Sequence, residues 1–151
     1  MTLSHNHSSF TVSDLDRSVA FYTNLLGFQV ETRLEVKGPA IEQITGLAGC
    51  WMRVAHLRLV DFRLELIQYL APEGVKLDTS TNNVGSAHIA FWTDDVERTC
   101  AELKARGVRF KGAPVAAAPG RPRVAYFTDP DGIALELAEQ VIRFIREKAD
   151  Q

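Results

Sequence analysis

HSSFTVSDLDRSVA, residues 7–20, and HIAFWTDDVERTCA, residues 88–101, are two copies of one sequence pattern. They align without gaps at an offset of 88 − 7 = 81 residues, and five of the fourteen pairs are identical. A pattern that recurs at a fixed offset indicates a chain built from two copies of one structural unit. The identical pairs are His7/His88, Phe10/Phe91, Asp14/Asp95, Arg17/Arg98 and Ala20/Ala101.

A second shared signal lies downstream in each copy. The tripeptide Leu-Glu-Leu at residues 64–66 recurs at residues 135–137. The offset between Glu65 and Glu136 is 136 − 65 = 71 residues, so the second copy is ten residues shorter between its two signals. Each copy therefore carries a His near its start and a Glu near its end.

The pattern of each copy predicts a βαβββ module. An alternating run opens the module as a half-buried strand, and residues at helical spacing follow it. Ser13 or Asp14 and Asp94 or Asp95 are candidate N-caps, and Gly27 and Gly107 stand where helices end. The further strands are predicted near residues 28–35, 51–60 and 62–70 in the first copy, and near 108–112, 121–128 and 133–139 in the second. The fold class is therefore α+β.

The two modules are expected to form one domain that spans residues 1–151. Module one covers residues 5–71 and module two covers residues 87–139, with a linker at 72–86 that is rich in Pro, Gly, Thr, Asn and Ser. The loop at residues 37–49 is long enough for a turn of helix. Residues 140–151 are predicted to form a C-terminal helix because their apolar side chains recur at helical spacing.

Composition narrows the possible partners and locations. The chain has 151 residues and a formal net charge of −2, which argues against nucleic acid as a partner. No apolar run approaches the roughly 20 residues that span a bilayer, and the N-terminal residues lack the apolar core of a signal peptide. We therefore expect a cytoplasmic protein without membrane contact. Cys50 and Cys100 form no paired motif and are expected to be buried thiols.

The repeated His and Glu residues are candidate metal ligands. In both copies the Glu alternates with two leucines, so the leucines are expected to face the helix and the Glu the opposite side. His7 and His88 fall on the face opposite Phe10 and Phe91 by the same parity. Two imidazoles and two carboxylates suit one divalent ion among Zn, Ni, Co, Fe and Mn. We therefore predict that His7, Glu65, His88 and Glu136 bind one divalent metal ion.

Other polar residues on these strands are expected to have ordinary roles. His5 lies in the terminal segment, and His56 lies on a strand without an equivalent His in the second copy. Both are interpreted as structural or solvated side chains. The arginines at positions 53, 58 and 63 are interpreted either as a solvated strand face or as a source of one group that holds a substrate carboxylate or phosphate.

The sequence resembles the vicinal oxygen chelate superfamily over about residues 5 to 140. The stretches that carry the resemblance are HSSFTVSDLDRSVAFYTNLLGF, LELIQYLAPEG, GSAHIAFWTDDVE and VAYFTDPDGIALEL. The superfamily includes glyoxalase I, methylmalonyl-CoA epimerase, extradiol dioxygenases, and fosfomycin-resistance and bleomycin-binding proteins. The resemblance implies paired βαβββ modules that form a cup-shaped mixed sheet around a metal, with helices outside. It also implies ligands at His7, Glu65, His88 and Glu136.

A filled fourth ligand position at Glu65 resembles glyoxalase I and the epimerase more than the three-ligand dioxygenases. The resemblance therefore implies a lyase or isomerase that moves a proton next to a metal-bound carbonyl of a small substrate. Glu65 or Glu136 would act as the base, and family position favours Glu136. A homodimer is expected, with the cup built within one chain or across two. The alternatives are an Fe(II)-dependent ring-cleaving dioxygenase and a non-catalytic small-molecule binding protein of the bleomycin-resistance type.

Overall fold

The computed structural model describes residues 2–140, which divide between Leu77 and Asp78 into two compact units. The N-terminal unit contains β1 (Ser8–Thr11), α1 (Leu15–Leu26), β2 (Gln29–Lys37), α2 (Pro39–Thr45), β3 (Trp51–Leu59) and β4 (Phe62–Ala71). The C-terminal unit contains β5 (His88–Thr93), α3 (Val96–Ala105), β6 (Val115–Ala116), β7 (Arg123–Thr128) and β8 (Ala134–Glu139).

Each unit has one four-stranded mixed sheet, and the two sheets have the same topology. The strand orders are β1-β4-β3-β2 and β5-β8-β7-β6. In both sheets the first strand pairs in parallel with the last, and the remaining pairs are antiparallel. The predicted α+β fold with two βαβββ modules is therefore confirmed.

The repeated Asp residue explains where the main helix of each unit begins. The Asp14 carboxylate accepts a hydrogen bond from the Arg17 backbone N–H, and Asp95 accepts one from Arg98. Each Asp satisfies one of the N–H groups that a helix start leaves without a partner in the helix. Gly27 ends α1 at a φ of 78°, which costs glycine little because it has no Cβ.

The core of each unit lies between its sheet and its main helix. Leu64, Leu66 and Leu135 are fully buried and Leu137 nearly so, as the alternation around each Glu predicts. In the N-terminal unit they pack with helix residues such as Leu15, Val19 and Tyr22, all buried. In the C-terminal unit the buried helix residues are Val96, Cys100 and Leu103. Burial of these side chains is the main contribution to stability, at about 1.5–3 kcal/mol for each large one.

A smaller apolar cluster forms in the N-terminal unit under the short helix α2. Cys50, Met52 and Val54 are buried there, and Ile41 of α2 packs against them with Val36, Ile67 and Tyr69. The turn of helix expected in the 37–49 loop is therefore α2. Pro39 begins this helix, where the missing N–H of proline removes no intrahelical bond.

One predicted strand is wrong. Residues 108–112 do not form a strand: Phe110 makes a single bridge to Phe127, and the short strand β6 lies later, at Val115–Ala116. The segment still follows the edge of β7, because Lys111 N–H donates to the Tyr126 carbonyl at 2.8 Å. Gly112 and Pro114 interrupt the hydrogen bonding to β7, because glycine weakens a strand and proline has no backbone N–H to donate.

The cysteines and the C-terminal segment were also the subject of predictions. Both cysteines are buried free thiols, as expected. The predicted helix at 140–151 lies outside the described residues apart from Gln140. Of the helices within residues 2–140, none has the length and apolar composition that crossing a membrane takes.

Candidate functional site

The N-terminal unit brings His7 and Glu65 together. His7 directly precedes β1, and Glu65 lies in β4 between the buried Leu64 and Leu66. Strand β1 runs parallel to β4 with Ser9 opposite Glu65. His7 Nε2 lies 3.4 Å from Glu65 Oε1, and the Glu65 side chain is 17% exposed. The predicted parity of the strand is therefore correct for this pair.

The C-terminal unit repeats this pair with His88 and Glu136. His88 begins β5, and Glu136 lies in the middle of β8 between Leu135 and Leu137. His88 Nε2 lies 3.4 Å from Glu136 Oε2, and the Glu136 side chain is 15% exposed. The same nitrogen-to-oxygen distance thus occurs in both units.

A separation of 3.4 Å is informative about what these pairs can bind. It exceeds the usual 2.7–3.2 Å of a strong N–H···O hydrogen bond. It matches the spacing of two ligands around one ion, which is about 3.4 Å for bonds of ~2.1 Å at a tetrahedral angle. Within residues 2–140, no three His, Cys, Asp or Glu side chains are grouped so as to hold a metal ion. Each unit by itself brings two of the four predicted ligands together.

The His7 ring directs Nδ1 toward Asn6 and Nε2 toward Glu65. Its Nδ1 lies 2.7 Å from Asn6 Oδ1, a carbonyl oxygen that can only accept a hydrogen bond. Nδ1 therefore carries the proton in the neutral ring, and the Nε2 lone pair faces Glu65. A hydrogen bond from the second ring nitrogen commonly fixes the tautomer of a metal-binding His.

His56 belongs to the same cluster, which sequence analysis did not recognise. His56 lies opposite Glu65 on β3 and donates from Nε2 to Glu65 Oε2 at 3.0 Å. Its Nδ1 then accepts from the Thr32 hydroxyl at 2.8 Å. The signal was present in the sequence: a hairpin that turns at residues 60–61 places 56 opposite 65, because 59 pairs with 62.

Tyr126 takes the corresponding position in the C-terminal unit. It lies opposite Glu136 on β7, as His56 lies opposite Glu65 on β3. Its hydroxyl is 3.2 Å from His88 Nε2. Burial, together with a hydrogen bond to Glu136 and the charge of that carboxylate, raises the pKa of Tyr126 above its ordinary value. The phenol therefore stays protonated at neutral pH.

The three arginines of β3 and β4 separate onto two faces of the N-terminal sheet. Arg53 lies on the helix side, where it binds Asp16 Oδ2 at 2.9 Å. Arg58 and Arg63 lie on the side of Glu65 and both bind Glu31. The hydrogen bond from Arg58, followed by the one from Arg63, lowers the pKa of Glu31. The expected solvated strand face is therefore two distinct ion-pair clusters.

Comparison with known proteins identifies the family. The family model for the Glyoxalase/Bleomycin resistance protein/Dioxygenase superfamily matches residues 4–137. A 2-epi-5-epi-valiolone epimerase from Actinomyces sp is 32% identical, over 87% of this chain and 76% of its own length. A probable lactoylglutathione lyase from Vibrio parahaemolyticus is 27% identical, over 88% of each chain.

Solved structures agree with this assignment. A glyoxalase family protein from Bacillus cereus has a TM-score of 0.81 at 26% identity, over 92% of this chain and 95% of that one. Some relatives are longer: this chain spans 35% of a probable chloroplastic lactoylglutathione lyase from Arabidopsis thaliana. The duplicated βαβββ unit and the family match together show that the chain belongs to the Glyoxalase/Bleomycin resistance protein/Dioxygenase superfamily.

Proposed function

We propose that this protein is a metal-dependent lyase or isomerase that moves a proton next to the carbonyl group of a small substrate. The observation that carries the proposal is the His–Glu pair that occurs in both units with the same 3.4 Å separation. A polar pair retained in both copies of a repeat, on the face away from the core, is better explained by shared chemistry than by packing.

The donor set suits one divalent ion. We propose that His7, Glu65, His88 and Glu136 are its ligands, and that the ion is Ni, Zn, Co, Fe or Mn. Two carboxylates balance a charge of +2, and two neutral imidazoles add nitrogen donors. Such an ion, when bound there, would polarise a carbonyl group, which makes a proton on the neighbouring carbon easier to remove.

The protein residues would then bind and move the proton. We assign the base to Glu136, the position that the family resemblance favours, and a second proton-transfer position to Glu65. The Tyr126 hydroxyl lies at hydrogen-bond distance from His88 and bonds to Glu136, and His56 donates to Glu65. Each carboxylate therefore accepts a hydrogen bond from one neighbouring side chain, which restricts its orientation.

The named relatives support this reaction class. The chain is similar to an epimerase and to several lactoylglutathione lyases, at 25% to 32% identity. At this identity the substrate does not transfer from relative to chain, because one superfamily hosts many chemistries. We further propose a homodimer, as the family resemblance implies, which sedimentation at equilibrium tests directly.

The decisive experiment measures proton exchange. Protein loaded in turn with Ni, Zn, Co, Fe or Mn is incubated in D₂O with a hemithioacetal, a 2-oxo acid and an acyl thioester. Nuclear magnetic resonance then follows deuterium at the carbon next to the carbonyl. We expect exchange on one substrate class with wild-type protein and its loss in Glu136→Gln, which keeps the shape of the side chain and removes the base.

Two outcomes would replace the proposal. Oxygen uptake with Fe(II) and a catechol, without proton exchange on any substrate, would establish a dioxygenase. Binding of a small molecule at full affinity by metal-free protein, with no exchange in any metal form, would establish a binding protein. The Glu65→Gln variant separates the first case from the proposal, since a three-ligand dioxygenase binds its metal without Glu65.

A further inference from the structure

A β-bulge in β2 places two consecutive side chains on the same face of the N-terminal sheet. The pairing of β2 with β3 shifts by one residue between Val30 and Thr32, so Glu31 is the extra residue. In a regular strand Glu31 and Thr32 would point to opposite faces. Here Thr32 bonds to His56, and Glu31 bonds to Arg58 and Arg63. Bulges that redirect side chains in this way are frequent beside active sites.

Arg58 and Arg63 form a cationic pair next to the candidate ligands. They lie directly opposite each other on β3 and β4, and each is two residues along its strand from His56 or Glu65. That spacing corresponds to about 7 Å. Like charges at directly opposed positions destabilise a sheet, and here Glu31 offsets part of that repulsion by pairing with both arginines.

The shared carboxylate only partly neutralises this pair. Glu31 accepts one hydrogen bond from the Nε of each arginine, so the three side chains together carry a net charge of +1. Among residues 2–140, neither guanidinium has a further hydrogen-bond partner, although each can donate five N–H groups. The two side chains are 40% and 36% exposed, and solvent therefore reaches them.

A second cluster of the same chemistry lies on the opposite face of the sheet and has an evident structural role. Arg33 and Arg53 share Asp16, which lies in the first turn of α1. Those bonds connect the helix to the sheet. The bonds of Glu31 connect only β2, β3 and β4, which the backbone ladder already joins. The Glu31 cluster therefore adds no connection that the fold lacks.

We propose that Arg58 and Arg63 bind an anionic group of the substrate, a carboxylate or a phosphate, and that Glu31 occupies their Nε donors until that group arrives. Placing the reacting carbonyl of the substrate near Glu65 rests on the proposed function. Binding of an anion by the two arginines does not depend on that proposal. On the other side of the His56–Glu65 row the same face carries the apolar Val54 and Ile67. Val54 is buried in the cluster under α2, so the exposed part of this face runs from the His56–Glu65 row to the arginines, where a substrate would place its acidic end.

The substrate class follows from this geometry. It is a small carbonyl compound with an acidic group about 7 Å along the strand direction from the reacting centre. A carboxylate or phosphate can take two parallel N–H···O bonds from one guanidinium, which gives orientation as well as affinity. Neutral carbonyl compounds of the same size would bind without this orientation and react more slowly.

The test uses inorganic phosphate and acetate as separate probes with metal-free, full-length protein. Titration calorimetry measures the dissociation constant of each, and the tighter anion identifies the acidic group. Arg58→Gln and Arg63→Gln should each weaken binding roughly tenfold, because each removes a charge-assisted donor. Arg58→Lys should retain part of the affinity, since the charge remains while the planar fork is lost.

Glu31→Gln is the discriminating variant. It removes the carboxylate that competes for the two arginines, and it should tighten phosphate or acetate binding roughly fivefold. Asp16→Asn is the matched control: it makes the same change in the cluster on the helix side and should leave anion binding unchanged. Circular dichroism confirms that each variant is folded. If Glu31→Gln does not fold, the Arg58→Gln and Arg58→Lys pair carries the test.

Three results would overturn the proposal. They are the absence of measurable binding of either probe, no change in affinity in the arginine variants, and equal tightening in Asp16→Asn and Glu31→Gln. Failure of the proposed function is a separate result, because it is seen as loss of metal binding or of proton exchange. A protein that binds phosphate through Arg58 and Arg63 but binds no metal keeps this subsite and refutes the proposed function.

Discussion

The N-terminal and C-terminal units hold their main helices in the same way. In the N-terminal unit Arg53 of β3 binds Asp16 in the first turn of α1. In the C-terminal unit Arg123 of β7 binds Glu97 in the first turn of α3, and also Glu139. Asp16 and Glu97 are 81 residues apart, the same offset as the repeat. The side of the sheet that faces the helix has therefore kept its ion pair in both units.

The opposite side of each sheet differs between the units. The position across from the Glu is His56 in one and Tyr126 in the other. The next pair along the same strands is Arg58 and Arg63 in the N-terminal unit, and it is Thr128 and Ala134 in the C-terminal unit. Of these three positions on each sheet, the Glu with its His partner is the one that both units share.

The helix side of each sheet carries residues that stabilise the fold, whereas the opposite side carries the candidate functional residues. What both units need to fold is repeated: the capping Asp, the core leucines and the arginine that joins helix to sheet. The side chains beside the His–Glu pair differ: an imidazole and two guanidinium groups in one unit correspond to a phenol and small side chains in the other. The two units therefore offer different functional groups beside the same His–Glu pair.

The largest expected effect concerns the core that both units share, and it is tested by removal of one core leucine in each unit. Leu64→Ala and Leu135→Ala each remove a fully buried side chain and leave a cavity. Each should lower the free energy of unfolding by about 2–5 kcal/mol. Urea denaturation followed by circular dichroism measures both. If one variant loses several kcal/mol of unfolding free energy and the other loses less than about 1 kcal/mol, the two cores do not contribute equally to stability.

The shared His–Glu pair predicts equal losses of metal binding. His7→Ala and His88→Ala each remove one proposed ligand, and each should weaken binding of Ni or Co by roughly 100-fold, or about 3 kcal/mol. Titration of metal-free protein measures the affinity. His5→Ala is the control, since His5 contacts Ser8 and Phe62 instead of the pair. Full metal affinity in His7→Ala would contradict the proposed ligand set.

The divergent neighbours predict unequal effects. His56→Phe removes the N–H that holds Glu65, and it should weaken metal binding about tenfold, as loss of a supporting partner commonly does. His56→Gln retains an N–H donor and should recover part of that loss. Tyr126→Phe should change metal affinity by less than about threefold, because its two effects oppose each other. Loss of the hydroxyl removes the hydrogen bond that supports Glu136, but it also frees His88 Nε2 to bind the metal. Equal losses in His56→Phe and Tyr126→Phe would contradict this contrast.

The smallest expected effect is the response of stability to acid. Hydrogen bonds from arginines lower the pKa of Asp16, Glu31 and Glu139. A lowered folded-state pKa stabilises the protein above the ordinary carboxyl pKa, and that contribution is lost as pH falls through the folded value. Stability should therefore fall below about pH 4. Glu139→Gln should show a shallower fall in urea midpoint between about pH 5 and 3 than wild-type protein. An unchanged slope would show that Arg123 contributes no pH-dependent stability.

The sequence by itself determined the module, its duplication and the four repeated polar residues. These follow from short-range rules: alternation fixes the face of a strand residue, an Asp fixes a helix start, and a fixed offset shows a repeat. Alternation around Glu65 and Glu136 was therefore enough to place both carboxylates away from the core. The same rules failed at residues 108–112, where the composition predicts a strand. Gly112 and Pro114 limit the hydrogen bonding there to a single bridge, and the strand β6 forms later.

Only the tertiary structure decided which side chains surround each pair. The contact of His56 with Glu65 depends on the hairpin register, and the contacts of Glu31 and Thr32 depend on a bulge of one residue. A shift of one residue moves every side chain of a strand to the other face, so these contacts are not properties of local composition. The separation of Arg53 from Arg58 and Arg63 has the same origin. Register is set by pairing between distant segments, and for this reason it is fixed only when the sheet forms.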